Sequence, residues 1–371
     1  MRTNIIEVRK VEEKSFYSFE SLQDHLAEIE KESTWEECKA DEIVFAENPE
    51  GIPFEGLGGD EFQCVTFSKN LGITSIPLRY TALQSILARA ECYGNGIKEL
   101  FLANKEKFAE HINDYLSLKK GRKVNMLALV QEGKLSALHS GVYQPVSIKG
   151  VFDIVNNFVD EFENTEFVEA NWSWESTQAL YRITDAKMLK TYTSLIEKYV
   201  KFKSIKIELQ AISSDVAESA VRFYPRFVLD GYIVPIFGGS SIKHIGKVDL
   251  DTVDAKLYDV YKSFEASCRN LTALGDITIN NKKNVMIKAF SKLNIPQKYA
   301  ADICENYGNT PATALNVYMS MCDVLRAMKG NLPDTTVLNF EEQLTKLITY
   351  NRPSWNRLDV PGNVSWNAKK N

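Results

Sequence analysis

The chain has 371 residues, 44% of them hydrophobic and 25% charged, with 19 Gly and 11 Pro. This composition excludes collagen-like and low-complexity chains, and the length suggests two or three globular domains. A net charge of −5 conceals an asymmetry: residues 1–62 carry 6 Lys or Arg against 17 Asp or Glu, so an acidic start precedes a body of net +6.

In chain order, FESLQDHLAEIEKE (19–32) places Phe19, Leu22, Leu26 and Ile29 at helical spacing. The Gly- and Pro-rich ENPEGIPFEGLGGDE reads as a loop, EFQCVTFS as a short strand, and 76–92 as a helix punctuated by its proline. Ile97 to Leu118 reads as a helix or a helix pair. The period then changes. KVNMLALVQEGKLSALHS is two apolar runs about Gln131-Glu132-Gly133, a β-hairpin whose first strand, apolar on both sides, is expected to be covered on both faces. IKGVFDIVNNFVDEF reads as a helix, TEFVEANWSWE and TQALYRIT as strands, AKMLKTYTSLIEKYVKFK as a helix, and KSIKIELQAISS as a strand. AVRFYPRFVLDGYIVPIFG reads as two strands turning at Asp230-Gly231.

Beyond about residue 249 the pattern is helical only, beginning with one long amphipathic helix and continuing with four more. The expected fold is α+β, with a mixed or antiparallel sheet and packed helices in the middle and a helical bundle after it. The expected organisation is an acidic segment (1–62), an α+β core (63–248), a helical domain (249–350) and an irregular tail (351–371) pinned by Trp355 and Trp366.

No P-loop, GxSxG elbow, HExxH or nucleotide fingerprint is present. Cys38, Cys64, Cys92, Cys268, Cys304 and Cys322 form no CxxC pair and the four histidines are scattered, so the expectation is free buried thiols, with no metal and no cofactor. Asp249, Asp251 and Asp254 open the long helix, where acids cap backbone N–H groups. Ser213-Ser214-Asp215 reads as a turn. It becomes a site for nucleophilic or acid–base chemistry only if a histidine, His139 or His244, joins it in space.

Three basic segments point elsewhere. Residues 119–149, 187–206 and 282–298 are rich in lysine, and the second interleaves Tyr192, Tyr199 and Phe202. Basic side chains neutralise phosphates and aromatic faces stack on unpaired bases. The candidate phosphate contacts are Lys119, Lys120, Arg122, Lys123, Lys201, Lys203 and Lys206. The candidate stacking groups are Tyr143, Trp172 and Trp174, the two tryptophans alternating on one strand.

The order of RYTALQSILARAE, VNMLALVQEGKLSALHSGVYQPV, AISSDVAESAVRFYPRFVLDGYIVPI, KLYDVYKSFEASCRNLTALGDITI and WNRLDVPGNVSW resembles a phage/plasmid-like protein family of unknown function, over residues 70–366. The basic stretch that family members carry after the S-D-V turn corresponds here to PIFGGSSIKHIG (235–246). The resemblance implies a mobile-element setting in a bacterial cytoplasm and no particular chemistry. The hairpin–helix–strand–strand–helix–strand middle is similar at the level of fold to single-strand annealing proteins of the Rad52 type.

The expectation is therefore a non-enzymatic DNA-binding protein that binds or anneals single strands in replication or recombination, and that is free to form homo-oligomers. No apolar run reaches the ~18 residues of a membrane-spanning helix, and MRTNIIEVRKVEEK lacks the apolar stretch of a secretory signal. The alternative is a protein-interaction module, such as a phage-encoded inhibitor of a host defence system, whose acidic N-terminal surface engages a host protein.

Overall fold

The computed structural model describes residues 12–48, 62–68, 72–92, 94–118, 125–160, 165–216, 220–236, 240–244, 248–328, 332, 334–364 and 366. The fold is α+β, and its strand ladders are antiparallel.

Strand β1 (Glu13–Phe16) leads into helix α1 (Phe19–Lys31), capped by Ser18, whose Oγ accepts from the Ser21 N–H at 3.3 Å. Strands β2 (Ser33–Lys39), β3 (Ile43–Glu47), β4 (Phe62–Ser68) and β5 (Gly72–Pro77) follow. Pro77 ends a strand instead of opening a helix: α2 (Tyr80–Ala90) begins three residues later, after Leu78 bridges to Leu135. Helices α3 (Asn95–Ala103) and α4 (Lys105–Ser117) form the pair, divided at Asn104, which caps the second.

The hairpin of β6 (Asn125–Gln131) and β7 (Lys134–Ser140) turns on Glu132 and Gly133, both at positive φ (49° and 70°), the backbone that a two-residue turn with matching twist requires. Then come α5 (Ile148–Asp160), β8 (Thr165–Ser173), β9 (Thr177–Ile183), α6 (Ala186–Ile196), β10 (Ile205–Ser213), β11 (Val221–Leu229), β12 (Tyr232–Pro235) and β13 (Ser240–Ile242). Asp230 and Gly231 repeat the positive-φ turn (49° and 86°).

The sequence pattern extends α6 to residue 203, but the helix ends at Ile196. The Asp230 carboxylate takes the backbone N–H groups of Lys203 and Ser204 at 2.8–3.1 Å, and this tertiary capture outweighs local helix preference.

Helix α7 (Leu250–Ala273) starts at Asp249, whose Oδ1 accepts from the Thr252 N–H at 2.9 Å. The remainder is β14 (Thr278–Ile279), α8 (Lys282–Lys292), α9 (Gln297–Glu305), β15 (Ala312–Thr313), α10 (Ala314–Met328), α11 (Asp334–Thr345) and α12 (Arg352–Asn356). The two-residue pair of β14 and β15 interrupts what the pattern reads as wholly helical.

The largest sheet runs β1-β8-β9-β10-β11-β12, with β13 also on β11. Two smaller sheets run β2-β6-β7 and β3-β4-β5. β6 is therefore a central strand, and it is covered on both faces. Met126 and Ala128 enter the core beneath α2 and α4, while Leu129 packs with Ala137, Val216 and Trp35 on the other side.

One face of the large sheet, carrying Tyr181, Ile207, Leu209, Phe223 and Phe227, is buried under helices. α7 joins the two cores on that face: Val253 and Leu257 pack with α1 and α5, while Phe264, Cys268 and Leu271 pack with the C-terminal helices. Trp355 is fully buried there, and Trp366 stacks on Phe290 and donates to the Ile295 carbonyl at 3.3 Å. Cys38, Cys92, Cys268, Cys304 and Cys322 are free and buried, while the Cys64 side chain lies outside the described residues. No described helix is long and apolar enough to cross a membrane.

Candidate functional sites

The C-terminal end of β10 runs into Ser213-Ser214-Asp215 at the junction between the large sheet and the β2-β6-β7 sheet. His139 contacts it directly, and His244 approaches it through Tyr143. His139, from β7, places Nε2 2.7 Å from the Asp215 carbonyl oxygen, so this nitrogen carries the proton and donates. Tyr143 donates its hydroxyl to the same carbonyl at 3.3 Å.

The Tyr143 ring stacks on His139 (centroids 3.8 Å apart, planes 8°) and on His244 (5.0 Å, 6°), and Trp35 of β2 packs against His139 and Tyr143. His244 directs Nδ1 to the Gln144 carbonyl at 3.2 Å, and burial holds its imidazole below the usual range, in the neutral form. On the other side of the loop Ser214 Oγ donates to the Glu175 carbonyl at 2.5 Å. The Asp215 backbone is thereby fixed from two sheets.

Its side chain is half-buried, but Oδ1 is sealed from solvent and has no hydrogen-bond partner. Burial, then the nearby charge of Glu30, pushes its carboxyl up to about 7. Asp215 opens on a narrow cleft walled by Glu30 and Ile148 on one side and by Trp172, Trp174 and Glu175 on the other.

A second feature lies on the other face of the large sheet. Alternate residues on adjacent strands place Gln178 and Arg182 (β9), Lys206, Glu208 and Gln210 (β10), and Arg222, Tyr224 and Arg226 (β11) side by side. No hydrophobic cluster forms over them among the described residues. α11 lies over the β11 end of this face: Arg222 reaches Asn339 (2.6 Å) and Glu342 (3.5 Å), Tyr224 donates its hydroxyl to Glu342 at 3.3 Å, and Ile212 beside Arg222 is 1% exposed. Glu208, 5% exposed, sits between Arg226 (2.9 Å) and Arg182 (3.6 Å), and Arg182 also meets the exposed Glu166 at 3.0 Å. A buried carboxylate shared by two guanidinium groups fixes both of them in place.

The residues predicted to bind nucleic acid separate into three groups. Lys119, Lys120, Arg122 and Lys123 lie outside the described residues. Lys201, Lys203 and Lys206 are exposed beside the Asp230 turn, and Lys206 begins the polar face.

The predicted stacking groups are committed to other contacts. Both faces of Tyr143 are occupied by imidazoles. Trp172 is 3% exposed, with its ring edge-on to His25 at 4.5 Å. Trp174, expected to alternate with it on the strand, lies instead in the bend after β8, its ring centroid 4.7 Å from that of Trp172. It is covered by the Arg79 guanidinium and donates Nε1–H to Glu12 at 3.1 Å.

Sequence reasoning missed Glu30, Trp35, Arg182, Arg222 and Arg226. The three arginines carried a readable signal, the period-2 alternation of polar residues along β9 and β11; Trp35 and Glu30 carried none. No protein-family model, curated protein or solved structure matches this chain.

Proposed function

We propose that the chain binds nucleic acid, with single-stranded DNA as the first ligand to test, across the polar face of the large sheet. The observation that carries this reading is the alignment of Arg182, Lys206, Arg222 and Arg226 with the amides of Gln178 and Gln210 on that face, where Lys206 is exposed and the three arginine side chains are 12–23% exposed. Guanidinium forks and ammonium groups contact phosphate, and amides reach base edges. The exposed Lys201 and Lys203 extend the basic edge beyond the end of β10.

The carboxylates on this face moderate the field and do not abolish it. Glu166 is an exposed partner, and a surface pair of that kind holds its arginine by only about 0–1 kcal/mol. With Tyr143, Trp172 and Trp174 engaged elsewhere, phosphate contacts supply most of the affinity and base stacking little. The phage or plasmid setting implied by the order of segments makes exposed single strands a natural ligand and replication or recombination a natural process.

The test is fluorescence anisotropy with labelled oligothymidine and with duplex DNA over a salt series. Four neutralised phosphates give a log–log slope of about −3 for single strands, at roughly −0.7 per phosphate. Lys206→Glu combined with Arg222→Ala flattens the slope and weakens binding. Absence of binding at low salt, or binding by this variant equal to wild type, overturns the proposal.

A further inference from the structure

We infer that the cleft beside Asp215 is a binding site for an organic cation that carries N–H donors, a guanidinium or primary ammonium head. Three of the residues that line the cleft are carboxylates (Glu30, Glu175 and Asp215), and none is a lysine or arginine. Its remaining walls include Trp172 and Trp174. The carboxylates attract a cation by charge, and the two indoles bound the cleft with their faces packed within the protein. The Trp174 ring already accepts one guanidinium, that of Arg79, 3.3 Å from its centre.

The decisive group is Asp215. Its Oδ1 is sealed from bulk solvent and has no partner within the protein. An unpaired buried acceptor costs about 1–3 kcal/mol, and a group that donates a hydrogen bond to it recovers that cost. An apolar ligand leaves that oxygen unpaired, and an anion meets three carboxylates. A donor that also carries positive charge satisfies both demands.

The surroundings hold the oxygen in position. The Asp215 carbonyl is anchored by His139 and Tyr143, Ser214 is anchored to Glu175, and Val216 is 3% exposed in the core beyond. Glu30 is fixed at the cleft rim by accepting from Ser147 Oγ at 2.5 Å and the Lys149 N–H at 3.1 Å. Such prior fixing lowers the ordering cost of binding.

The titratable groups facing Asp215 are Glu30 of α1, Glu175 between β8 and β9, His139 of β7, and Tyr143 in the loop that follows. Burial raises the Asp215 carboxyl most, and of these groups Glu30 adds to it through its charge. A bound cation offsets that charge, so binding releases a proton from Asp215.

The experiment is isothermal titration calorimetry on the full chain at pH 7, in two buffers of different ionisation enthalpy. The probes are agmatine, putrescine, the blocked tripeptide acetyl-Gly-Arg-Gly-amide, and tetramethylammonium, which has the charge without the N–H. The expected result is saturable binding of at least one N–H donor, proton release, and tetramethylammonium weaker by about tenfold or more, the loss expected for a buried charge-assisted hydrogen bond.

Asp215→Asn, checked for a cooperative melt, removes the proton release and weakens binding by about tenfold. Tighter binding of the tripeptide than of the free amines makes the natural ligand a protein side chain, and the reverse makes it a free amine. No saturable binding of any probe up to about 10 mM, where an affinity of roughly 3 kcal/mol is still detected, overturns the inference. Equal affinity in a folded Asp215→Asn overturns it as well. If Asp215→Asn does not fold, Glu30→Gln takes its place, and unchanged affinity with unchanged proton release there overturns it.

Discussion

The guanidinium of Arg79 lies over the indole of Trp174, 3.3 Å from its centre, and ties the start of α2 to the turn after β8. Arg79 also meets Glu132 at 3.0 Å and donates its backbone N–H to the Leu135 carbonyl. Arg79→Ala therefore lowers stability by about 1–2 kcal/mol, the sum of a partly desolvated cation–π contact and an ion pair half open to water. Urea melts of Arg79→Ala, Trp174→Leu and the double variant should show a coupling of about 0.5–2 kcal/mol. Strict additivity rejects the contact. Lysine does not substitute, because it lacks the planar fork that lies flat on the ring.

The carboxyl of Asp215, raised from 3.8 to about 7, makes stability depend on pH in an uncommon direction. Between those values the folded chain holds a proton that the unfolded chain has lost, so this group's contribution falls as pH rises from about 4 to about 7 and is level above that. At 1.36 kcal/mol per unit, reduced because the side chain is only half-buried, the effect is about 2–4 kcal/mol. The stability of Asp215→Asn relative to wild type should accordingly be higher at pH 8 than at pH 5. An equal difference at both pH values means that Asp215 titrates as an ordinary carboxylate.

β6 permits a contrast between neighbouring residues. Ala128 is 1% exposed beneath α2, whereas Leu127 is half-buried between Glu37 and His139 on the flanking strands. Ala128→Asp buries an unpaired carboxylate and costs roughly 3 kcal/mol or more, and Leu127→Asp costs about 1–2 kcal/mol. Thermal melts of the two variants check the order; a costlier Leu127→Asp would place the tighter cover on the other face.

Gly275 permits no side chain. A Cβ there overlaps the near edge of the Tyr199 ring, whose hydroxyl is held by the Asp276 carboxylate at 3.1 Å. Gly275→Ala should destabilise by about 1–3 kcal/mol through overpacking, and Gly275→Ala with Tyr199→Leu should recover part of that loss. No recovery in the double variant would locate the strain elsewhere.

The strongly periodic elements were legible in the sequence, for reasons particular to them. The Glu132-Gly133 and Asp230-Gly231 turns announce their hairpins because few other residue pairs accept two positive φ angles. The buried face of α1 and the Asp249 cap are local, and so they are readable.

β1, β2 and β3 were not read as strands. EKSF and STWEECK are short and polar, and they become strands by pairing with β8 and β6, more than eighty residues away. The site at Asp215 has the same character. His139 on β7 and His244 in the bend after β13 meet only around Tyr143, a relationship with no sequence period. Tyr143, Trp172 and Trp174, expected from the sequence to stack on bases, instead pack against other side chains of the protein. Aromatic side chains that fill a junction and aromatic side chains that await a ligand look alike in one dimension.

The pairing of β1 with β8 changes how the acidic start of the chain can be studied. β1 forms an outer boundary of the large sheet, matched residue for residue from Glu13 opposite Ser173 to Phe16 opposite Ala170. Removing residues 1–62 would take away more than negative charge. It would uncover Ala170–Ser173 of β8, leave their backbone groups ready to recruit another molecule, and take β2 from beside β6. The product would self-associate, and any gain in affinity for a polyanion would be confounded by that assembly. Exchanging exposed acids such as Glu20, Asp24 and Glu28 for glutamine leaves the sheet boundary closed and isolates the role of charge.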